Sequence, residues 1–402
     1  MNENQEIKHV VVVGAGLGGL TAALALLQHG FSVTVLEQAP ALGEVGAGVQ
    51  LSANATRVLS LLGMDGTVAD SGVEPTGKVI RHWSTGRTWD IFDLAGNSRD
   101  QYGHPFSMFH RADLHAALER EVRHADPQCI RLSSRCETIE MSDERPVVVL
   151  QNGERIEGDI VVGADGVHSR VRVPIAGEDK PKFSGLYAWR GVVRTDQLPE
   201  HLRAPLGVNW VGPGRHVVQY PLRRGELTNF VGIVEGQGWQ QESWTQQGTM
   251  AECLADFQGW HEDIQTMIRA IETHYKWAFM VRDPLQNWSL RRVTLLGDAA
   301  HPTLPFLAQG AAMAIEDGYV LARALASHRD NAYAALKGYE AARVDRTSAI
   351  VRGSNENIAR FHSPKLADPE VAARYIEQQW APEKVRQRYQ WLFDYKADLI
   401  EV

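Results

Sequence analysis

The feature that most constrains this chain is a glycine-rich turn between a β-branched run and an Ala/Leu-rich segment. Residues 9–13 are typical of a buried parallel strand, and residues 17–28 have a helical composition. Between them, Gly14–Gly19 has the spacing GxGxxG, and a second apolar run at 31–36 ends at Glu37. The order β-α-β at this compact spacing predicts an α/β fold with a dinucleotide-binding unit at its N-terminus.

Each glycine of the turn has a physical role in such a unit. Gly14 permits the tight turn, Gly16 lets the backbone approach a pyrophosphate, and Gly19 lets helix and strand pack closely. Ala15 belongs to the same phosphate-binding turn, since free N–H groups at a helix N-terminus attract phosphates. Glu37 lies where an acid that binds a ribose is expected, and its charge disfavours a 2′-phosphate there. The alternative is a glycine-rich turn without a ligand.

Two later motifs favour FAD over NAD as the dinucleotide. Asp165-Gly166 follows a strand that ends at residue 162, and Gly297-Asp298 follows a strand at 293–296. Ligands of open α/β sheets bind at the carboxyl ends of strands, where a carboxylate can accept hydrogen bonds from ribityl hydroxyls. Taken alone, each motif is explained equally well as a turn with a helix N-cap.

The rest of the chain suggests two interleaved parts. Residues 183–280 are largely β in pattern and carry no fingerprint of their own, so they are interpreted as an inserted lobe that faces the substrate. Residues 1–80, 100–182 and 290–325 are expected to share one sheet region. The predicted boundaries are 1–182 (FAD-binding), 183–289 (β-rich lobe), 290–355 (FAD-binding continuation and long helix) and 356–402 (helical tail).

Composition narrows the function classes. The chain has 41 basic and 49 acidic side chains, a net charge of −8, which argues against nucleic acid as a partner. Its three cysteines form no CxxC pair, which predicts reduced thiols, no metal site and a cytoplasmic location. The apolar stretch 10–27 contains the glycine turn and follows the acidic Glu3 and Glu6, so neither a signal peptide nor a membrane span is expected.

Together these motifs resemble the single-component FAD-dependent aromatic hydroxylases, over nearly the whole chain. The likeness is closest to the group with salicylate hydroxylase, 3-hydroxybenzoate 6-hydroxylase and 6-hydroxynicotinate monooxygenase. Besides the motifs above, three further blocks carry it: Gly43–Gly48, His110–Leu114 and Met313–Asp317.

The resemblance implies a fold and a reaction. The fold is an FAD domain with an interleaved, mostly β substrate lobe and a helical C-terminus. NADH, or less favoured NADPH, reduces FAD; O2 then gives a flavin C4a-hydroperoxide that hydroxylates a small phenolic carboxylate such as salicylate or 3-hydroxybenzoate. Three alternatives stay open: a 6-hydroxynicotinate-type monooxygenase, a flavin oxidase or dehydrogenase with the same fingerprint, and a non-enzymatic FAD-binding protein.

The resemblance also assigns cofactor contacts by position. Glu37 is expected to bind the adenosine ribose, and Arg111 to reach the phosphates or ribityl chain. Asp298, beside Gly297, is expected to hold a ribityl hydroxyl, and Asp165 with Gly166 to support FAD and the transient nicotinamide. For Arg111 the alternative is a solvated arginine at the start of a helix.

The loop before residue 310 is expected to face the flavin ring. Main-chain N–H groups of Leu307, Ala308 and Gly310, together with the dipole of the following helix, would stabilise negative charge on reduced flavin. Pro305 is placed near the reacting edge. The acids Glu316–Asp317 within that helix are interpreted as structural.

The strand at 215–221 is the predicted catalytic wall. Its period-two geometry puts His216, Val218 and Tyr220 on one face. In the resembling family the histidine is implicated in deprotonating the phenol, and the tyrosine lines the pocket. The alternative is a structural histidine; His301 is the rival base, interpreted as loop support.

Further substrate contacts are predicted at Tyr102, Tyr187 and Pro305. The apolar pair Pro305-Phe306 departs from the polar wall that is frequent in the family, which leaves the ring substitution open. The aromatic tail after Trp380 is interpreted as a possible cover for an interface, such as that of a homodimer.

Overall fold

The computed structural model describes residues 6–43, 48–93, 97–236 and 246–402. Residues 44–47 of the block Gly43–Gly48 lie outside the described residues.

The strands and helices of the described chain are given in two series. The strands are β1 (His9–Val13), β2 (Ser32–Leu36), β3 (Gly48–Leu51), β4 (Gly77–His82), β5 (Thr88–Asp93), β6 (Ser107–His110), β7 (Ile130–Arg131), β8 (Cys136–Glu140), β9 (Val147–Leu150), β10 (Arg155–Glu157), β11 (Ile160–Gly163), β12 (Lys182–Arg194), β13 (Leu206–Gly212), β14 (Arg215–Leu222), β15 (Leu227–Glu235), β16 (Tyr275–Val281), β17 (Ser289–Leu290) and β18 (Val293–Leu295). The helices are α1 (Leu17–Gln28), α2 (Ala53–Leu61), α3 (Asp65–Ser71), α4 (Asn97–Tyr102), α5 (Arg111–Ala125), α6 (Val173–Ala176), α7 (Met250–Asp256), α8 (Glu262–Ala270), α9 (Gly310–Ser327), α10 (Ala332–Phe361), α11 (Pro369–Gln379) and α12 (Pro382–Phe393).

A mostly parallel sheet forms the cofactor half, in the spatial order β17-β18-β11-β1-β2-β7. Strand β1 pairs in parallel with β2 on one side and β11 on the other. Its valines at positions 10–12 are fully buried, as expected for a strand covered on both faces. Helix α1 packs against α5 and α9. This confirms the predicted α/β fold and the β-α-β unit at its centre.

A second sheet forms the lobe, in the order β16-β12-β15-β14-β13-β4-β5. Its neighbours are antiparallel except for the parallel pair β13 and β4. Strands β4 and β5 therefore join the lobe sheet, although residues 1–80 were expected to share the cofactor sheet. Strands β8–β10 form a sheet of their own, and β3 pairs with β6. The predicted domain boundaries stay a prediction.

The two faces of the lobe sheet have different cover. One face packs on α7 and α8 through a buried cluster that includes Trp189, Phe257 and Met267. The other face shares a cluster with the C-terminal helices, which includes Trp380 and Tyr389. The aromatic tail therefore covers this chain's own sheet. Within the described residues, every helix is too short or too polar to cross a membrane.

Candidate active site

A cavity of about 370 Å³ lies where the cofactor sheet meets the inner face of the lobe sheet. It is lined from one side by the glycine turn and the loops after β11 and β18, and from the other by β12, β14, β15 and β16. The predicted site residues that line it are Gly16, Gly19, Arg111, Gly166, His216, Tyr220, Gly297, Asp298, Pro305, Ala308 and Gly310.

The glycine turn is shaped partly by packing and partly by open space. Gly14 has φ +105°, and a Cβ there would lie 2.4 Å from the carbonyl oxygen of Ala164. A Cβ on Gly19 would lie 2.0 Å from the carbonyl oxygen of Gly14. A Cβ on Gly16, in contrast, would meet no protein atom within 4 Å. The turn is closed behind and open at Gly16, which fits a pyrophosphate above it.

Glu37 is held beside this turn at the end of β2. One carboxylate oxygen accepts a hydrogen bond from the main-chain N–H of Ala15 at 2.9 Å, and the other from Ala39 at 2.9 Å. The carbonyl of Ala15 in turn accepts a hydrogen bond from His115 Nε2 at 2.7 Å. Gly14, Ala15 and Glu37 thus lie behind the cavity wall and fix the shape of the turn.

Asp165 closes its own loop. Its carboxylate accepts hydrogen bonds from Ser169 Oγ at 2.5 Å and from the N–H groups of Arg170 and Val171 at 2.7 and 3.3 Å. Burial raises the pKa of Asp165, and these hydrogen bonds oppose the shift. The loop brings Gly166, with φ +76°, to the cavity. The cofactor contact of Asp165 stays a prediction.

Asp298 lines the cavity with an exposed side chain. Burial raises its pKa, while His301 and Arg111 favour the ionised form. Among the residues that the structure describes, none donates a hydrogen bond to this carboxylate. A carboxylate that is open to the cavity can accept a hydrogen bond from a ribityl hydroxyl, so the chemistry of this residue fits FAD as well.

The loop before α9 meets the cavity at three of its four predicted positions. Pro305, Ala308 and Gly310 line the wall, and Ala308 adopts the left-handed conformation with φ +54°. Leu307 is buried instead, against the long helix α10 at Gly353. Because α9 begins at the wall, the partial positive charge of its N-terminus lies beside the cavity. That it stabilises reduced flavin stays a prediction.

Asp317 anchors the loop after β18 from behind. It accepts hydrogen bonds from the N–H of Gly297 at 2.9 Å, from His301 Nε2 at 2.6 Å and from Arg343 Nε at 2.7 Å. The side chains of Asp317, His301 and Arg343 are each at most 1% exposed. These contacts agree with the interpretation of Asp317 as structural and of His301 as support for the loop.

His216 and Tyr220 face the cavity from β14. The His216 ring is 1% exposed and lies 4.9 Å from the ring of Phe306 and 5.2 Å from that of Phe361. Burial, and then the neighbouring His362, hold the pKa of His216 well below its ordinary value, so the ring is neutral near pH 7. Burial raises the pKa of Tyr220, which keeps its hydroxyl protonated.

Gly48 makes room for the Tyr220 ring. A Cβ at position 48 would lie 2.3 Å from Tyr220 Cε2, and the N–H of Gly48 donates to Asn229 Oδ1 at 2.9 Å. The last glycine of the block Gly43–Gly48 therefore serves the substrate wall.

Two side chains, one on this wall and one in contact with His216, were missed by sequence reasoning. Arg190 of β12 lines the cavity, and its guanidinium carbon lies 4.1 Å from the ring centroid of Trp277. The period-two alternation of β12 was the available signal, since it separates Ala188 and Arg190 from Tyr187 and Trp189. The other is His362, whose Nε2 lies 2.7 Å from His216 Nδ1.

Two predicted substrate residues lie away from the cavity wall. The hydroxyl of Tyr187 donates to Asp256 Oδ2 at 2.9 Å, because the side chain points to the opposite face of β12. Tyr102 packs edge-on against Phe393, with ring centroids 5.8 Å apart, in the cluster with the C-terminal helices. Their observed contacts are structural, and neither belongs to the wall described above.

Comparison with known proteins finds relatives over nearly the whole chain. The sequence model of the family described as FAD binding domain matches residues 8–354. The chain is 35% identical over 388 residues to 3-amino-4-hydroxybenzoate 2-monooxygenase of Streptomyces platensis, which covers 96% of each chain. It is 36% identical over 398 residues to 3-hydroxybenzoate 6-hydroxylase of Polaromonas naphthalenivorans, which covers 99% of this chain and 98% of the relative.

A solved structure of a salicylate hydroxylase in complex with substrate has the same fold. It superimposes with a TM-score of 0.79 at 25% sequence identity, covering 98% of this chain and 96% of the other.

Proposed function

The chain belongs to the FAD-dependent aromatic hydroxylases, and from that membership we propose that it hydroxylates a small phenolic carboxylate such as salicylate or 3-hydroxybenzoate, with NAD(P)H and O2 as co-substrates. One observation carries the proposal. A single cavity joins the glycine turn and Asp298 to a wall that presents an imidazole, a phenol and a guanidinium, those of His216, Tyr220 and Arg190.

The cofactor end of the cavity has the donor set that FAD needs. Gly16 and the start of α1 would hold the pyrophosphate, Glu37 the adenosine ribose, and Asp298 and Arg111 the ribityl chain and phosphates. Bound FAD supplies the redox chemistry, taking electrons from the nicotinamide and activating O2 for transfer of one oxygen atom.

His216 is the proposed base. A neutral imidazole can accept the proton of the substrate hydroxyl, and the resulting phenolate is more reactive toward an electrophilic oxygen. Tyr220, protonated and buried on the same face, can donate a hydrogen bond to the phenolate oxygen. The rings of Phe306 and Phe361 fix the imidazole from behind.

Arg190 is the proposed partner of the substrate carboxylate. Guanidinium groups match carboxylates in geometry and charge, and this one lies on the cavity wall over Trp277. Val218, Ile233 and Phe279 make the neighbouring wall apolar, which suits an aromatic ring and keeps water from the reacting atoms.

The decisive experiment is an assay of the purified holoprotein with a panel of aromatic acids. We expect oxidation of NADH or NADPH to rise sharply with salicylate or 3-hydroxybenzoate, with a hydroxylated product identified by mass. Salicylate would also report whether CO2 is lost, and 6-hydroxynicotinate tests the heteroaromatic alternative. If no member of the panel yields product while all electrons appear as peroxide, the hydroxylase proposal fails in favour of an oxidase.

The matched variants for this assay are Arg190→Met and Arg194→Met, on the same strand. Losing a charged hydrogen bond costs about 1.5–3 kcal/mol, so Arg190→Met is expected to raise KM for the acid about tenfold to a hundredfold. Arg194 is exposed and pairs with Asp196, so its variant should behave as wild type. Equal KM values for both variants would place the carboxylate elsewhere.

The buried, unpaired cysteines Cys129, Cys136 and Cys253 suit the reducing cytoplasm, which stays the proposed location.

A further inference from the structure

We propose that His362 and Glu235 form a relay that passes the substrate proton from His216 to solvent. The inference rests on the proposed function, because it deepens the role of His216. It is carried by an unbroken line of three side chains that leads from the cavity wall to the surface.

The line consists of two short hydrogen bonds. His216 Nδ1 lies 2.7 Å from His362 Nε2, and His362 Nδ1 lies 2.7 Å from Glu235 Oε1. The side chain of His362 is 1% exposed, whereas that of Glu235 is 49% exposed. The cavity is therefore connected to water through two imidazole rings and one carboxylate.

Three elements hold the line in place. His216 comes from β14 and Glu235 from the end of β15, and the N–H of Glu235 donates to the carbonyl of Gly214 at 3.0 Å. His362 caps the C-terminus of α10, and its own carbonyl accepts from the N–H of Gly214 at 3.1 Å. The turn between β13 and β14 thus ties the helix end to the sheet.

The hydrogen bonds fix which ring nitrogens carry protons. A carboxylate only accepts, so His362 Nδ1 carries a hydrogen toward Glu235 and leaves Nε2 of His362 as an acceptor. His216 then donates from Nδ1 to that nitrogen, and its own Nε2 keeps a lone pair. The ring on the cavity wall is thereby set as a proton acceptor.

The transfer balances in three steps. The substrate O–H bond breaks and an N–H bond forms at His216 Nε2; the Nδ1 proton of His216 moves to His362 Nε2; and the Nδ1 proton of His362 passes to the carboxylate of Glu235 and on to water. After the transfer, rotation or tautomerisation of the rings restores the starting arrangement. The net change is one proton moved from the phenol to solvent.

The surroundings explain why an outlet is needed. His216 lies between two uncharged rings, where a lasting imidazolium is costly. At His362, a positive charge meets the carboxylate of Glu235 and the negative end of the α10 dipole. The titratable groups that contact His362 are His216 from β14 and Glu235 from β15. The hydrogen bond from His362 lowers the pKa of the Glu235 carboxyl.

The test uses the holoenzyme with a nitrophenol carboxylate as a chromophoric probe, because its phenolate absorbs at longer wavelength than its phenol. The variants are Glu235→Gln and His362→Asn. The matched controls are Glu226→Gln, at the other end of β15, and His274→Asn, a buried histidine bonded to the carbonyl of Ile268. His216→Ala is the reference for loss of the base.

We expect both relay variants to slow ionisation of the bound probe after a pH jump about tenfold to a hundredfold, because the proton then lacks its path to solvent. Substrate-stimulated kcat should fall about tenfold to a hundredfold with KM nearly unchanged. Proton release after a pH jump should slow in the same proportion, and the solvent deuterium effect on kcat should grow. Both controls should match wild type in every readout.

If both relay variants ionise the probe at the wild-type rate and keep the wild-type pH profile of kcat, the relay is overturned. Glu235→Gln alters an exposed side chain, so it decides the matter even if His362→Asn does not fold, and flavin absorbance and thermal melting report folding. The probe needs no turnover. A chain that ionises it through the relay but hydroxylates nothing contradicts the proposed function alone, whereas active hydroxylation with wild-type relay variants contradicts the relay alone.

Discussion

Gly16 and Gly19 are the same residue type for different reasons. Gly19 is excluded from having a side chain by the carbonyl of Gly14, 2.0 Å from where its Cβ would be. Gly16 has room for a side chain in the protein and faces the cavity. Gly19 is therefore required for the packing of the helix on the strand, whereas Gly16 is required for the close approach of the ligand.

This difference predicts opposite results for two alanine variants. Gly19→Ala should lower the free energy of unfolding of the apoprotein by about 1–3 kcal/mol, as overpacking does, and should also lower the affinity for FAD. Gly16→Ala should leave the free energy of unfolding of the apoprotein within about 0.5 kcal/mol of wild type, while the affinity for FAD falls at least about tenfold. Urea denaturation and fluorescence titration with FAD measure the two quantities. Equal stability losses in both variants would contradict the distinction.

At this scale, sequence reasoning found residues whose role is local. The glycine turn, Glu37 and the alternation of His216 and Tyr220 follow from short-range spacing. His362 could not be found in the same way, because the two residues are 146 positions apart in the sequence and meet only in the folded chain. Tyr187 was assigned to the substrate from residue type, although its strand turns the ring to the opposite face.

At the scale of elements, α9 and α10 are joined by a buried ionic cluster. Arg343 is fully buried and pairs with both Glu316 and Asp317 at 2.7 Å. Burial opposes ionisation of Asp317, but His301 and Arg343 outweigh it and lower its pKa to about 2. The cluster fixes the loop after β18 because Gly297 and His301 bond to the same carboxylate.

Asp317→Asn is therefore expected to destabilise the fold by about 3–5 kcal/mol, the usual result of leaving one buried charge unpaired. The pKa of this carboxyl is lower in the folded state, so its contribution is complete above about pH 4 and is lost as pH falls toward 2. Acid denaturation should consequently be shallower in the variant over that range. Asp330→Asn, at an exposed position, should unfold like wild type, and identical acid slopes in all three proteins would contradict the assignment.

Most elements of the cofactor half were predictable because burial on both faces leaves a clear pattern. The predicted bounds 9–13 and 17–28 agree with β1 and α1. The lobe was less predictable. Helices α7 and α8 were predicted to be part of a β region. Their apolar residues pack on one face of the lobe sheet, and the sequence alone does not show which face needs this cover.

At the scale of the molecule, the cavity belongs to neither sheet alone. Its walls come from chain segments far apart in sequence, so a ligand that fills it contacts the cofactor half and the lobe together. Because β4 and β5 belong to the lobe sheet, the chain enters the lobe early and returns, so it crosses between the two halves more than once. Such long-range pairing has no local signal, which explains why the residues of β4 up to position 80 were expected in the cofactor sheet.

FAD is therefore expected to stabilise both halves as one unit. At a concentration one hundred times its Kd, a ligand adds about 2.7 kcal/mol to the free energy of unfolding. Calorimetry of the apoprotein with increasing FAD should show a single transition that moves upward with the logarithm of FAD concentration. FMN, which lacks the adenosine that Glu37 and the glycine turn would bind, should shift it less. A transition that splits, with one half unaffected by FAD, would contradict the shared cavity.

The glycine turn also has a consequence for biosynthesis. Gly14 packs on Ala164, and a Cβ on Gly18 would lie 2.9 Å from both Leu296 and Ala314. The turn is thus completed by segments that lie far along the chain, the last of them in α9. During synthesis the turn cannot gain its full packing before Ala314 has been made, so we expect FAD to bind only after α9 is complete and a chain truncated before α9 to bind FAD poorly.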